Sequence, residues 1–221
     1  MKDDPYQPFI WGIRMRVLVA CEFSGIVRDA FAAKGHDAWS CDLLPSEKPG
    51  NHIQGDVLKI LDDGWDLMIA HPPCTYLTVT GNRWMKVEYV GRYPNRCRQR
   101  NEAIEFFMRL VCAPIDRIVI ENPVGVMSTS FRKPNQIIQP WQFGDKAVKK
   151  TCLWLKNLPP LLETEIVEPA YKTYNSRSKK SGKSRYPMLW TNAANAHERS
   201  RTFPGIAQAM AEQWGNFGES E

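Results

Sequence analysis

A short apolar segment that ends abruptly at two prolines constrains the fold of this 221-residue chain more than any other stretch. Leu67 to Ala70 is typical of a buried strand, and Pro72-Pro73 cannot continue a central strand, so the chain must turn there. The turn presents the thiol of Cys74 just beyond the carboxyl end of that strand. Because open α/β sheets bind ligands at that edge, Cys74 is a candidate reactive group.

A second predicted strand, over 117–120, ends in the same manner, in Glu121-Asn122-Pro123. Carboxyl ends of parallel strands lie at one edge of a sheet. The two turns therefore predict a thiol beside a carboxylate, which is the pairing of a nucleophile with an acid.

The rest of the chain alternates apolar strand patterns with helical spacing, as in α/β domains with a parallel sheet. We predict a mostly parallel sheet that ends in an antiparallel hairpin, turned through Phe143-Gly144-Asp145. The predicted strands are 16–21, 36–41, 51–57, 67–70, 117–120, 137–141 and 151–155, and the predicted helices are 26–34, 98–112 and 198–214.

The domain organisation follows from the order of these elements. We expect residues 1–14 to be an N-terminal extension and 15–221 to form a single domain. Within it, 156–200 would be a reduced substrate-binding insert with a basic loop, and 201–221 a helix packing back on the core. The long loop 75–95 is predicted to act as a lid.

Composition and charge limit the partners, the metal or disulfide sites and the cellular setting that this chain is expected to have. A net charge of +5 and a pI near 8.9 favour an anionic partner such as nucleic acid. Six scattered cysteines without a CxxC pair argue against a zinc cluster or a disulfide scaffold. No apolar run is long enough for a membrane span, and Asp3 and Asp4 do not suit a signal peptide. We expect a monomer in a reducing cytoplasm, of a bacterium or a phage-infected cell, with no metal and no membrane.

The ordered motifs of the chain resemble those of DNA (cytosine-5)-methyltransferases. The resemblance covers roughly residues 16–155, and the compact form is similar to small phage-encoded members, such as those of restriction-modification systems. The motifs are Phe23-Ser24-Gly25, Asp42, Gly55-Asp56-Val57, Pro72-Pro73-Cys74, Glu121-Asn122-Pro123 and, near the end, Thr202-Phe203-Pro204-Gly205-Ile206-Ala207.

The resemblance implies a Rossmann-like class I fold that binds S-adenosylmethionine, and a covalent reaction. Cys74 would add to C6 of a cytosine flipped out of double-stranded DNA, Glu121 would act as the acid, and Asn122 would hold the turn. In the cofactor pocket, Asp42 would bind the ribose and Asp56 the adenine amino group. The other implied cofactor residues are Phe23, Ser24, Gly25, Val57 and Pro72.

The chain also departs from the family. His71 replaces a small residue, and Thr75 replaces a glutamine. A Gln-x-Arg-x-Arg motif is absent, and Lys149 and Lys150 stand in its place as candidate substrate contacts. No separate target-recognition domain fits into the remaining length. The other candidate DNA contacts are the basic residues Arg177, Lys179, Lys180, Lys183 and Arg185.

Three alternatives stay open from the sequence. An amino-methyltransferase acting on adenine N6 or cytosine N4 would need an acid at the position of His71 and an aromatic at that of Cys74. A cytosine C5-modifying enzyme could instead act on RNA or a free nucleotide. A protein that binds DNA without catalysis would not bind S-adenosylmethionine.

Overall fold

The computed structural model describes residues 14–89, 91–174, 184–187 and 196–216. Its nine strands are β1 (Arg16–Ala20), β2 (Asp37–Asp42), β3 (His52–Gln54), β4 (Leu67–Ala70), β5 (Arg117–Pro123), β6 (Gln136–Ile138), β7 (Thr151–Lys156), β8 (Tyr171–Tyr174) and β9 (Ser184–Pro187). Its five α-helices are α1 (Ile26–Ala33), α2 (Arg96–Val111), α3 (Met127–Ser130), α4 (Ala196–Ser200) and α5 (Pro204–Gly215).

Seven strands form one mixed sheet in the order β3-β2-β1-β4-β5-β7-β6. The first five are mutually parallel, whereas β7 runs antiparallel to both of its neighbours. An α/β fold with a mostly parallel sheet and an antiparallel β6–β7 pair is therefore confirmed.

The core fills both faces of the sheet, which explains why its strands are continuously apolar. In β1, Val17 and Val19 face a cluster built with α1 and α5, and Leu18 and Ala20 face a cluster built with α2. All four side chains are fully buried. Trp214 of α5 is also fully buried, so the C-terminal helix packs back on the core beside α1.

Three strand ends differ from the prediction by three residues, each for a local reason. β3 ends at Gln54 instead of Val57, because Asp56 caps a 3-10 turn, Val57–Lys59, that follows it. β5 continues to Pro123 instead of ending at Ile120, because β7 pairs with it as far as Pro123↔Thr151. Strand β6 ends at Ile138 because a 3-10 turn, Pro140–Gln142, follows it. The β6–β7 connection is consequently longer than a tight hairpin turn.

Three segments predicted as loop or as continuous helix are organised differently. The 75–95 region contains two 3-10 turns, Val79–Met85 and Val87–Tyr89. The end segments of the basic loop pair as the antiparallel strands β8 and β9. The last helix is divided into α4 and α5, because Phe203 is extended and Pro204 starts a new helix.

Within the described ranges, no helix has the length and apolar character that a membrane crossing requires.

Candidate active site

The carboxyl ends of three adjacent strands lie at one level of the sheet. Ala20 of β1 pairs with Ala70 of β4, and Ala70 pairs with Ile120 of β5. The turns that begin at Cys21 and His71 therefore lie beside Glu121, in the last part of β5. This register brings together motifs that are about fifty residues apart in the chain.

The Pro-Pro turn is fixed by bonds to both neighbouring strands. The backbone N–H of His71 donates to the carbonyl of Ala20 at 2.9 Å. The side-chain amide of Asn122 donates to the carbonyl of Pro72 at 2.8 Å. Asn122 is buried, so this bond ties the end of β5 to the turn that carries Cys74. The catalytic assignment of Asn122 stays a prediction.

Cys74 is a free, exposed thiol at the end of this turn. Its carbonyl accepts the backbone N–H groups of Leu77 and Thr78, at 3.0 and 3.1 Å. Although the residue is exposed, the protein atoms around it partly desolvate the thiol, and this desolvation and the charge of Glu121 raise the pKa of Cys74, whereas the charges of Lys149 and Arg199 act in the opposite direction. The net effect keeps the pKa of Cys74 above its ordinary value, so the thiol form dominates at neutral pH.

Glu121 is held by His71, a residue that the sequence did not identify as part of the site. The Nδ1 atom of His71 lies 3.1 Å from Oε2 of Glu121, and both side chains are largely buried. Burial alone would raise the pKa of Glu121, but Lys149, His71 and Thr151 together lower it. An ionised carboxylate can only accept, so His71 donates this bond from Nδ1.

Three buried polar atoms at this point have no hydrogen-bond partner among the described residues: Nε2 of His71, Oε1 of Glu121 and Oδ1 of Asn122. Buried polar atoms are normally paired, so orphaned atoms of this kind mark a place where a ligand can complete the bonding. His71 and Glu121 are hydrogen-bonded to each other, so a polar ligand with both a donor and an acceptor could satisfy the free atoms of these two residues.

Lys149 lies near Cys74 and Glu121 and comes from the segment that leads into the antiparallel strand β7. It lies two residues before the start of β7 at Thr151, and because β7 is antiparallel to β5, the start of β7 lies beside the end of β5. Its Nζ donates to the carbonyl of Arg199 at 3.2 Å, and its charge acts on both Cys74 and Glu121. Lys150 is exposed, and it does not contribute to the pKa shift of either group.

The turn after β1 starts helix α1 through a buried carboxylate that sequence reasoning missed. Glu22 accepts the backbone N–H groups of Val27 at 2.7 Å and Arg28 at 3.2 Å, so it caps the helix. The hydroxyl of Ser24 also donates to it, at 3.2 Å. Gly25 has φ of 71°, a left-handed conformation that favours glycine. The sequence does contain a signal for this cap, namely an acidic residue shortly before the predicted helix.

Phe23 lies beneath the C-terminal segment. Its ring centroid is 4.5 Å from that of His197, and only 8% of Phe23 is exposed. Glu47 accepts from Arg201 at 2.7 Å and lies 3.4 Å from His197, so the loop after β2 contacts the same segment. The predicted contact of Phe23 with a cofactor stays a prediction.

Asp42 is the last residue of β2, and Asp56 lies two residues beyond the end of the neighbouring strand β3. Asp42 accepts the backbone N–H of Leu44 at 2.9 Å, and Asp56 accepts that of Leu58 at 3.0 Å. The backbone N–H of Gly55 donates to the carbonyl of Asp42 at 2.8 Å, which joins the two turns. Each carboxylate thus shapes a turn, and its binding of ribose or adenine stays a prediction, as does that of buried Val57 and Pro72.

The DNA contacts predicted for the basic loop stay predictions. Arg177, Lys179, Lys180 and Lys183 lie outside the described residues, and Arg185 belongs to β9, whose side chains are not described. Among the described residues, no group of three or more His, Cys, Asp or Glu side chains could hold a metal ion.

Comparison with known proteins finds matches among solved structures only. No family model and no curated protein matches the chain. A crystal structure of a candidate DNA modification methyltransferase, encoded within a prophage of E. coli, matches with 14% identity and a TM-score of 0.42. The match covers 76% of this chain and 62% of the other. At that identity and TM-score, the likeness carries no argument about this chain.

Proposed function

We propose that this protein transfers a methyl group from S-adenosylmethionine to C5 of cytosine in DNA, through a covalent bond between Cys74 and C6. One observation carries the proposal. Cys74, Glu121 and Lys149 interact electrostatically at one edge of the sheet, with buried, unpaired polar atoms of His71 and Glu121 beside them. A nucleophile, an acid and a cation are the groups that activation of a cytosine ring needs.

Cys74 begins the reaction by adding to C6. The thiolate forms the Sγ–C6 bond, and the ring electrons that this displaces make C5 nucleophilic. Because the pKa of Cys74 is raised in the free protein, the thiol must lose its proton as the substrate binds. Lys149 and Arg199 favour the thiolate, so they assist this step.

Glu121 completes the addition by giving a proton to N3 of the ring. Negative charge that would build up on the cytosine then passes to the carboxylate, where Lys149 and His71 offset it. The lowered pKa makes Glu121 a strong donor but leaves it ionised beforehand, so it must take up a proton together with the substrate. His71 is a positioning residue in this scheme, since it fixes one carboxylate oxygen and leaves Oε1 for the ring.

The turns beside this site suit an adenosyl cofactor. The strand order 3-2-1-4-5 is shared with doubly wound nucleotide-binding sheets, whose ligands bind where the order reverses, between β1 and β4. Carboxylates at the ends of β2 and after β3 are the acceptors that ribose hydroxyls and an adenine amino group require. We therefore assign ribose binding to Asp42 and adenine binding to Asp56, with Phe23 to Gly25 lining the other end. S-adenosylmethionine would supply an electrophilic methyl group there.

The last step frees the enzyme. Once C5 carries its new substituent, water takes the C5 proton and the C6–Sγ bond breaks with its electron pair on sulfur, which returns Cys74 to the thiolate, while the proton on N3 returns to Glu121. The nucleophile and the acid are therefore both regenerated in each turnover, as a nucleophilic catalyst requires.

A trapping experiment tests this mechanism. Fluorine at C5 cannot leave as a proton does, so DNA containing 5-fluorocytosine should stay attached to the protein in the presence of S-adenosylmethionine. We expect a denaturation-resistant adduct with the wild-type protein and with Cys97→Ala, a control for an exposed thiol elsewhere. Cys74→Ala should give none, and Glu121→Gln should form adduct about 100-fold more slowly or worse.

Other results would contradict the proposal. Methylation of an exocyclic amino group that survives Cys74→Ala would mean an amino-methyltransferase. Adduct formation with RNA or free nucleotides but not with DNA would move the substrate to another class. DNA binding without any adduct and without S-adenosylmethionine binding would leave a non-catalytic protein.

A further inference from the structure

A cavity opens directly beside the proposed active site. It has a volume of about 520 Å³ and begins at Thr75, the residue that follows Cys74. Its lining combines hydroxyl groups with cationic and aromatic side chains. The residues that matter are Thr75, Thr78, Thr80, Arg83, Trp84 and Arg96, and we call the cavity the arginine–tryptophan pocket.

The pocket is held from outside by helix α2. Arg100 donates from Nε to the carbonyl of Tyr76 and from Nη2 to the side-chain oxygen of Asn82, both at 2.9 Å. These bonds fasten the 3-10 turn Val79–Met85 to the helix. Gly81 is buried there, and a Cβ at that position would lie 3.4 Å from Nη2 of Arg96. The walls are thus preformed rather than assembled by a ligand.

The pocket carries positive charge that the described residues do not neutralise. Two arginines, Arg83 and Arg96, line it. Among the ion pairs of the described residues, none involves Arg83, Arg96 or Arg100. The buried Nε of Arg96 has no hydrogen-bond partner there, and its Nη2 makes one long hydrogen bond, 3.4 Å to the carbonyl of Thr75. The guanidinium of Arg96 therefore has no acidic partner among these residues and can pair with an anion.

Aromatic rings stand beside these cations. The guanidinium of Arg83 lies 3.9 Å from the centroid of the Trp84 ring, and that of Arg96 lies 4.6 Å from the centroid of Tyr76. Tyr89 and Tyr93 contact Trp84 edge-on, with ring centroids at 5.1 and 5.2 Å. Proteins that bind single-stranded nucleic acid stack its bases on aromatic rings and bind its phosphates with arginines. The pocket offers both kinds of group, and its arginines have no ion-pair partner among the described residues.

We propose that the arginine–tryptophan pocket binds the nucleotide next to the target cytosine, stacking its base by Trp84 and Arg83 and pairing its phosphate with Arg96. This inference rests on the proposed function for the identity of the neighbouring base. A nucleotide stacked in this way cannot remain paired with a complementary strand. The preferred substrate is consequently a strand that is unpaired over at least the target and its neighbour, rather than an intact duplex.

Binding of a probe that contains no cytosine tests the pocket separately from the chemistry. Fluorescently labelled oligo(dT) would be titrated with the protein without S-adenosylmethionine, and its anisotropy measured. Trp84→Ala should weaken binding roughly 5-fold to 100-fold, the range found for loss of one stacked base. Trp84→Phe, which keeps a stacking ring, should bind nearly as the wild type does.

Arg96 has a matched control two residues away. Arg98 is on the exposed side of α2 and faces Glu102 at 3.8 Å, so Arg98→Ala removes the same charge outside the pocket. We expect Arg96→Ala to weaken oligo(dT) binding several-fold more than Arg98→Ala does. The same sequence annealed to its complement should bind more weakly than the single strand.

Equal effects of Arg96→Ala and Arg98→Ala, or binding unaffected by Trp84→Ala, would overturn the proposal. So would tighter binding of the duplex that depends equally on both residues. The two proposals fail separately. If oligo(dT) binding depends on Trp84 but no 5-fluorocytosine adduct forms, the pocket proposal stands and the methyl-transfer proposal falls. If an adduct forms and Trp84→Ala changes neither the adduct nor oligo(dT) binding, the methyl-transfer proposal stands and the pocket proposal falls.

Discussion

At the scale of single residues, opposing charges set the reactivity of Cys74. Glu121 raises the pKa of the thiol, whereas Lys149 lowers it, and burial adds to the effect of Glu121. The same lysine lowers the pKa of Glu121. One cation therefore favours the charged form of both groups that the proposed reaction uses.

Replacing Lys149 should make Cys74 less reactive near neutral pH. In Lys149→Gln the pKa of Cys74 should rise further, because the charge that lowers it is gone. The pH profile of its alkylation by iodoacetamide, followed by mass spectrometry of the Cys74 peptide, should then shift to higher pH. The rate near neutral pH should fall several-fold.

Lys150→Gln is the control for that change. Lys150 is adjacent and exposed, and it does not act on Cys74, so its removal should leave the profile in place. Equal shifts in the two variants would mean that net charge, and not the position of Lys149, sets the pKa.

The sequence predicts some of these residues better than others. Cys74 and Glu121 follow short apolar runs that end at prolines, and that pattern is visible locally. The contact between His71 and Glu121 spans fifty residues and depends on the alignment of β4 with β5, which no local pattern contains. Arg199 joins the site through a fold of the C-terminal segment and is equally inaccessible to such reasoning.

At the scale of elements, the close packing of α5 against the β6–β7 connection leaves almost no room for a side chain at position 205. A Cβ at Gly205 would lie 1.7 Å from the carbonyl oxygen of Phe143. The backbone N–H of Gly205 also donates to Asp145 at 3.1 Å. The first turn of α5 therefore requires a residue without a side chain.

Gly205→Ala should destabilise the protein by about 2–3 kcal/mol, the cost of overpacking a tight contact. Urea unfolding would measure the loss as a lower midpoint. Gly91→Ala serves as the comparison, because no heavy atom lies within 4 Å of a Cβ built there. Similar midpoints for both variants would show that the α5 contact yields without cost.

Elements were predictable where one signal dominated. β4 has the predicted bounds, since four apolar residues stand between polar residues and a Pro-Pro pair. Pro204 also carried the signal for the break between α4 and α5, but the apolar spacing on either side suggested one helix. The β8–β9 pairing was hidden because each strand has only four residues, one of them basic, and lacks apolar alternation.

At the scale of the whole molecule, the proposed cofactor site is built from turns after β1, β2 and β3. A ligand that binds only this folded arrangement must stabilise the entire chain. At a concentration 100 times its Kd, the gain is about 2.7 kcal/mol. For a chain of this length that corresponds to a rise in Tm of roughly 5–10 °C.

Thermal unfolding with increasing S-adenosylmethionine should therefore show Tm rising with the logarithm of its concentration. Asp42→Asn should lose most of the rise, because a neutral amide replaces the carboxylate assigned to the ribose. Asp62→Asn, an exposed change away from these turns, should keep it. An unchanged Tm in the wild-type protein would contradict the cofactor assignment.

The antiparallel course of β7 has a consequence for biosynthesis. Lys149 stands at the beginning of that strand, so it leaves the ribosome after Cys74 and Glu121 have already emerged. Until β7 docks beside β5, Cys74 and Glu121 lack the cation that acts on both of them. The charge balance of the proposed active site is therefore completed only late in synthesis, when the strand that inserts next to β5 brings Lys149 into place.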